Sequence, residues 1–205
     1  PLTMRRHTAK YMRERGGASL DLLGKHVAVL GCGAIGSMVA DALAAAGVGK
    51  LTLVDHDEFS EDNVFRHLLE PLWVDIPKVR ALKIRLTQHY PGLFVDAVND
   101  VAQEWIGAKT PVGLDGIVVA FGAPSVERSF ARCFRATGLK LPVVFTWLEA
   151  LDLGGHSVLT WTDAEGCLDC LYRDEEGQLS LSPRTAYLEP DQVVTRNLTG
   201  CASIF

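Results

Sequence analysis

The residues from 26 to 57, HVAVLGCGAIGSMVADALAAAGVGKLTLVDHD, leave this chain few folds to choose from. A short apolar run, Val27 to Leu30, ends in a turn with glycines at Gly31, Gly33 and Gly36. A helical period follows at once: Ile35, Met38, Val39, Ala42, Leu43 and Ala46 recur at the spacing of one helix face. Gly47 and Gly49 stop that helix, and a second apolar run, Leu51 to Val54, ends in Asp55. This order predicts a βαβ unit whose turn cradles a phosphate. Gly31 permits the tight turn, Gly33 lets the backbone approach phosphate oxygens, and Gly36 lets the helix pack close to the sheet. The free N–H groups and the dipole at the helix start favour an anion. Asp55 is placed to accept hydrogen bonds from ribose hydroxyls. The plainer reading is a tight strand–helix corner without a ligand. Strand, turn, helix, strand and acid in that order favour nucleotide binding.

The residues after Asp55 bear on which nucleotide. Asp57, Asn63, Arg66, His67 and Lys78 follow the ribose acid closely. An Arg forks two phosphate oxygens and a Lys offers a point charge, so these groups suit a triphosphate. An NAD-dependent oxidoreductase, the competing reading, needs none of them. The spacing predicts a helix over 76–88, with Asp75 as N-cap, Pro77 at an early position, and Ile76, Val79, Leu82 and Leu86 facing inward. For Asn63, Arg66 and Lys78 taken singly, the bland readings are a loop amide, a surface ion pair and a solvated helix charge.

Taken in register, these residues resemble the ThiF/MoeB/HesA family of adenylating enzymes, which includes the ubiquitin-activating enzymes. That pattern is GxGxxG, an acid at the next strand end, Asn-x-x-Arg, then a Lys opening a helix. Gly31, Gly33, Gly36, Asp55, Asp57, Asn63, Arg66 and Lys78 match it in order, and the resemblance runs from about residue 20 to the end. It implies ATP and Mg²⁺ as cofactors and adenylation of the C-terminal carboxylate of a ubiquitin-like protein. It also implies a homodimer, in which an N-terminal Arg, Arg6 or Arg13, reaches the partner subunit's ATP. Two positions depart from the pattern: His67 stands where a Gln is usual, and Gly122 stands where an Asp helps to hold Mg²⁺. Asp57 is then the substitute ligand. The Arg-His pair and the Gly-Ala-Pro after the fourth strand resemble a bacterial antiviral-defence branch, whose members work with a conjugating-enzyme-like domain.

The remaining chain alternates strands and helices. Strands are expected at 93–98, 117–121, 141–147 and 154–162, with helical segments at 101–106 and 123–137. Val126, Phe130, Cys133 and Phe134 share one helix face, which makes Cys133 a core residue. His156 reads as a structural strand histidine. The fold class is α/β, a Rossmann-like doubly wound and mostly parallel sheet; the resemblance adds an antiparallel extension. Residues 1–24 form a basic N-terminal arm broken at Gly16–Gly17, read as a solvated helix. Residues 25–205 form one adenylation domain, and the start at Pro1 and the end at Phe205 suggest a piece of a longer polypeptide.

Composition enters as a set of exclusions. A net charge of -5 argues against general nucleic-acid binding. There is no apolar stretch long enough to span a membrane and no signal-peptide pattern. Five cysteines at irregular spacing are not a disulfide framework, which points to a reducing, cytoplasmic setting. Cys32 is a small packing residue inside the turn. Cys167 and Cys170 form a CxxC that offers two of the four ligands of a Zn²⁺ site, or two reduced thiols in a loop. Cys201 follows a polar stretch that resembles the family's crossover loop. By that resemblance it is the nucleophile that takes the acyl group as a thioester. An inactive scaffold or heterodimer partner is the alternative that Gly122 supports, and a small molecule or peptide end is an alternative substrate.

Overall fold

The computed structural model describes residues 8–108, 113–138, 140–149, 153–188 and 192. Among them six strands form one sheet: β1 (His26–Leu30), β2 (Lys50–Val54), β3 (Phe94–Val98), β4 (Gly116–Val119), β5 (Pro142–Leu148) and β6 (Gly155–Trp161). Their order is β3-β2-β1-β4-β5-β6. All pairings are parallel except β5 with β6, which is antiparallel. The chain builds outward from β1 to β3, then returns to the other side of β1 with β4. The topological switch point therefore lies between β1 and β4, where a doubly wound sheet opens its crevice.

The helices are α1 (Ala9–Gly16), α2 (Ala34–Ala46), α3 (Lys78–His89), α4 (Ala102–Ala108) and α5 (Pro124–Ala136). Both sheet faces are covered, which is why the central strands read as unbroken apolar runs. Ala28 and Leu30 of β1 pack with Ile117, Val119, Phe145, Phe130 and Phe134 on one face. Val29 packs with Leu51, Leu53, Ala40, Val79 and Leu82 on the other. Within β1, neighbouring side chains thus serve opposite cores, as the period of two requires.

Two expectations are corrected, the start of α3 and the placement of Cys133. In α2, Gly36, Ser37, Ala40 and Ala44 are buried, Val39 and Leu43 are half-buried against the core, and Met38 is 49% exposed. A Cβ on Gly36 would collide with the Gly31 carbonyl, so the smallest residues face the sheet and Met38 stands outward. Next, α3 begins at Lys78, Pro77 is its N-cap, and Ile76 is exposed. Residue 76 precedes a proline, which disfavours a helical backbone there. The Phe59 N–H donates to the Ile76 carbonyl (2.9 Å) and the Asp75 N–H to the Phe59 carbonyl (2.9 Å), so Asp75 pairs with Phe59 instead of capping a helix. Cys133 is exposed, because the buried arc of α5 runs through Glu127, Phe130, Ala131 and Phe134. The helix α1 is largely exposed, as expected, with Arg13 as its anchor: Arg13 is buried and donates to the Gly47 carbonyl at the end of α2 (2.8 Å).

His156 is structural: its Nε2–H donates to Glu149 Oε1 (2.8 Å), and its ring stacks on Trp147 at 4.7 Å. Among the described residues, no helix is long and apolar enough to cross a membrane.

Candidate functional site

A cleft of about 510 Å³ opens at the carboxyl ends of β1, β2 and β4. Gly31, Gly33, Asp55, Asp57, Asn63, Arg66 and Lys78 all line it. Gly36 lies behind it, at the contact of α2 with the turn. Gly31 has φ +84, and a Cβ there would sit 2.8 Å from the Ala120 carbonyl oxygen, so the turn needs glycine. A Cβ on Gly33 would meet nothing within 4 Å, which leaves that backbone open to the cleft. The opposite wall comes from Asp100, Gln103, Phe121 and Ala123.

Asp55 is held in place by its own backbone neighbours. Its Oδ2 accepts the Cys32 N–H (2.6 Å) and its Oδ1 accepts the Asp57 N–H (2.8 Å). Lys78 is nearly buried and donates to Asp57 Oδ2 at 2.7 Å, while its own N–H donates to the Asp57 carbonyl (3.0 Å). The first turn of α3 is thereby tied to the end of β2, and the ammonium is fixed at the cleft wall. Asn63 Oδ1 accepts from the Ser60 N–H (3.2 Å), closing a capping box that orients the 3-10 turn Glu61–Asn63. Arg66 donates to the Asp62 carbonyl within the same loop.

Gly122 has φ +68, a region where an aspartate is strained, and its N–H donates to Glu127 Oε1 (3.0 Å). Glu127 is wholly buried, and its Oε2 has no partner among the described residues. Burial pushes its carboxyl up to about 7, against the opposing pull of the Gly122, Phe121 and Ala123 amides. Sequence reasoning missed this residue. The available signal was its spacing, four and seven residues before Ala131 and Phe134 on the same helix face.

Two groups of side chains bear on metals. Asp55, His56 and Asp57 offer ligand atoms within 4.8 Å of one another. A carboxylate beside a phosphate cleft fits Mg²⁺, which takes few protein ligands and completes its shell with phosphate and water oxygens. Cys167 and Cys170 lie elsewhere, with their sulfurs 3.8 Å apart, and no third ligand joins them among the described residues. Cys167 is not simply in a loop, because it caps the 3-10 helix Leu168–Tyr172. The Cys170 thiol is held below its ordinary value, first by the Cys167 backbone N–H. Cys32 is fully buried and its thiol is pushed well up by that burial. Arg13 is committed to Gly47, while Arg6 and Cys201 lie outside the described residues.

The ThiF family profile matches residues 5–196. The chain is 29% identical over 178 residues to the ATP-dependent ubiquitin transferase-like protein Cap2 of Pseudomonas aeruginosa (strain BWHPSA011 / Pa011), covering 84% of this chain and 31% of that protein. It is 32% identical over 149 residues to the molybdopterin-synthase adenylyltransferase of Escherichia coli (strain K12), covering 72% of this chain and 58% of that one. The fold is similar to a crystal structure of E. coli MccB with AMPCPP and MccA, at TM-score 0.60 and 22% identity, covering 76% of this chain and 46% of that one. The chain thus spans between about a third and three-fifths of the length of these curated relatives.

Proposed function

The chain belongs to the ThiF family, and from that premise we propose that it activates a protein C-terminus by ATP-dependent adenylation. The observation that carries this reading is convergence. Residues 31, 33, 55, 57, 63, 66 and 78, distant in sequence, line one cleft at the switch point. A carboxylate oxygen attacks the α-phosphorus of ATP, the bond to the β-phosphate oxygen breaks, and acyl-AMP and pyrophosphate result. Gly33 and the start of α2 meet the phosphates through backbone N–H groups. Asp55 takes the ribose, Asn63 orients a phosphate oxygen, and Arg66 and Lys78 stabilise negative charge as pyrophosphate leaves. Asp57 would hold Mg²⁺, which when bound neutralises the leaving group.

The expected substrate is a ubiquitin-like protein or another free protein carboxylate, and the similarity to Cap2 over most of this chain supports the bacterial transferase-like branch. Transfer of the acyl group to the Cys201 thiol, a homodimer joined through the exposed apolar patch around Met38 of α2, a conjugating-enzyme-like partner domain, a cytoplasmic setting, and Zn²⁺ held by Cys167 and Cys170 all belong to this proposal. A scaffold without chemistry is the second reading, favoured by Gly122 alone.

ATP–pyrophosphate exchange with Mg²⁺, measured on the full-length protein with encoded ubiquitin-like candidates, tests it. Exchange that depends on a free C-terminal carboxylate supports adenylation. ATP binding without exchange for any candidate would move the assignment to the scaffold.

A further inference from the structure

His67 is 7% exposed, and both ring nitrogens are engaged. The Leu69 N–H donates to Nδ1 (3.1 Å), so Nδ1 is an acceptor and the proton must sit on Nε2. That proton is donated to the Cys32 carbonyl at 2.7 Å. Geometry therefore selects the neutral Nε2–H tautomer. Cys32 is the second residue of the glycine turn, and its N–H is already held by Asp55 at 2.6 Å. The turn is gripped from one side by the acid assigned to ribose and from the other by His67. His67 also directly follows Arg66, so one ring fixes both the turn that meets phosphate and the segment that carries the guanidinium.

We propose that neutral His67 is a positioning residue for the nucleotide site, and that its protonation breaks the bond from Leu69, displaces the segment that carries Arg66 and weakens nucleotide binding. A proton on Nδ1 would point at the Leu69 N–H, which cannot accept it. The Leu69 bond must break while Nε2–H keeps its bond to the Cys32 carbonyl, so it is the segment from Arg66 to Leu69 that must move. This rests on the nucleotide-binding reading above and adds a pH dependence to it.

The surroundings of the ring hold it neutral. Burial first, and then Lys78 and Arg66, lower its proton affinity, while the Cys32 carbonyl and Asp55 oppose them; the net position lies below the ordinary 6.5. From α2, the Ser37 hydroxyl takes the Leu68 N–H (3.3 Å) and carries no charge. The Phe59 ring packs at 5.0 Å and is neutral. Because the folded-state value is lowered, the neutral form persists through neutral pH, and the Leu69 bond is lost as pH falls below it.

The test is titration of the full chain with a fluorescent ATP analogue and Mg²⁺, from about pH 8 to about pH 5.5. Three proteins are compared: unsubstituted, His67→Gln and His67→Phe. Glutamine offers a neutral donor and a neutral acceptor and gains no proton in this range; phenylalanine fills the space and makes neither bond. The expected result is a loss of affinity toward acid for the unsubstituted protein, bounded at about tenfold by about pH 5.5 for a single proton bound below the ordinary value, and a clearly smaller loss for His67→Gln. His67→Phe is expected to bind weakly throughout. The phosphates of the analogue titrate identically in all three proteins, so the comparison isolates residue 67. Parallel acid profiles for the unsubstituted and His67→Gln proteins, or unimpaired binding by His67→Phe, would overturn the proposal while leaving the nucleotide site intact. Absence of binding by every folded protein at every pH would overturn the nucleotide reading itself.

Discussion

Replacing Glu127 by glutamine gives a stability effect whose size and sign follow from the structure. The carboxyl is wholly buried, and its proton affinity is raised from 4.5 to about 7. Between those values the folded state holds a proton that the unfolded chain has released, so folding stability falls as pH rises through this window. Below about pH 4.5 the contribution is neutral, and above about pH 7 the full cost of a buried carboxylate is present. At about 1.4 kcal/mol for each tenfold change in proton affinity, the loss between about pH 5 and about pH 8 is roughly 2–3 kcal/mol. Glutamine keeps an oxygen for the Gly122 N–H but carries no charge. It also brings an N–H₂ group to the place of the unpartnered Oε2, at a fixed cost that does not depend on pH. The difference between the two pH values is therefore the clean quantity. Urea unfolding should show Glu127→Gln gaining about 2–3 kcal/mol relative to the unsubstituted protein on going from about pH 5 to about pH 8. An equal effect of the substitution at both pH values would refute the reasoning, because it would mean that the buried group does not change protonation.

Lys78→Ala should lower pyrophosphate exchange by about a hundredfold or more with little change in melting temperature, since the partner Asp57 is half-exposed and the ion pair contributes about 1 kcal/mol or less. Retained exchange in this variant would remove Lys78 from the site. Arg13→Ala, which deletes the bond to the Gly47 carbonyl, should cost about 1–3 kcal/mol in denaturant unfolding, and an unchanged midpoint would show that α1 does not brace α2. Met38→Asp places a charge on the exposed apolar patch of α2, next to Ile35, Ala42 and Leu148. Sedimentation of the full-length protein should show a dimer converting to monomer, and an unaltered dimer would place the contact elsewhere.

The chain order of the βαβ unit was readable from residues 26–57 because strand period, glycine turn and helix stop are all local properties. Asp55, Asn63, Arg66 and Lys78 were readable for a related reason. Each is carried at the start or end of an element, and in a doubly wound sheet those ends gather at one edge. Periodicity shows only which residues share a face. It does not show where that face points, and this accounts for the corrections. In α2 the close approach at Gly36 set the smallest residues against the sheet and left Met38 of the apolar stripe exposed. In α5 the arc through Phe130 and Phe134 was buried with Glu127 on it, leaving Cys133 at the surface. Pairing of Asp75 with Phe59 delayed the start of α3. The tautomer of His67 depends on Cys32, which is 35 residues away, and on Leu69, which is two. The sequence by itself determined the elements and the chemistry that their ends carry, because both follow from neighbours along the chain. Only the tertiary structure decided which faces are buried and how buried acids and imidazoles are protonated, because burial and hydrogen-bond partners come from residues that the chain brings together from afar.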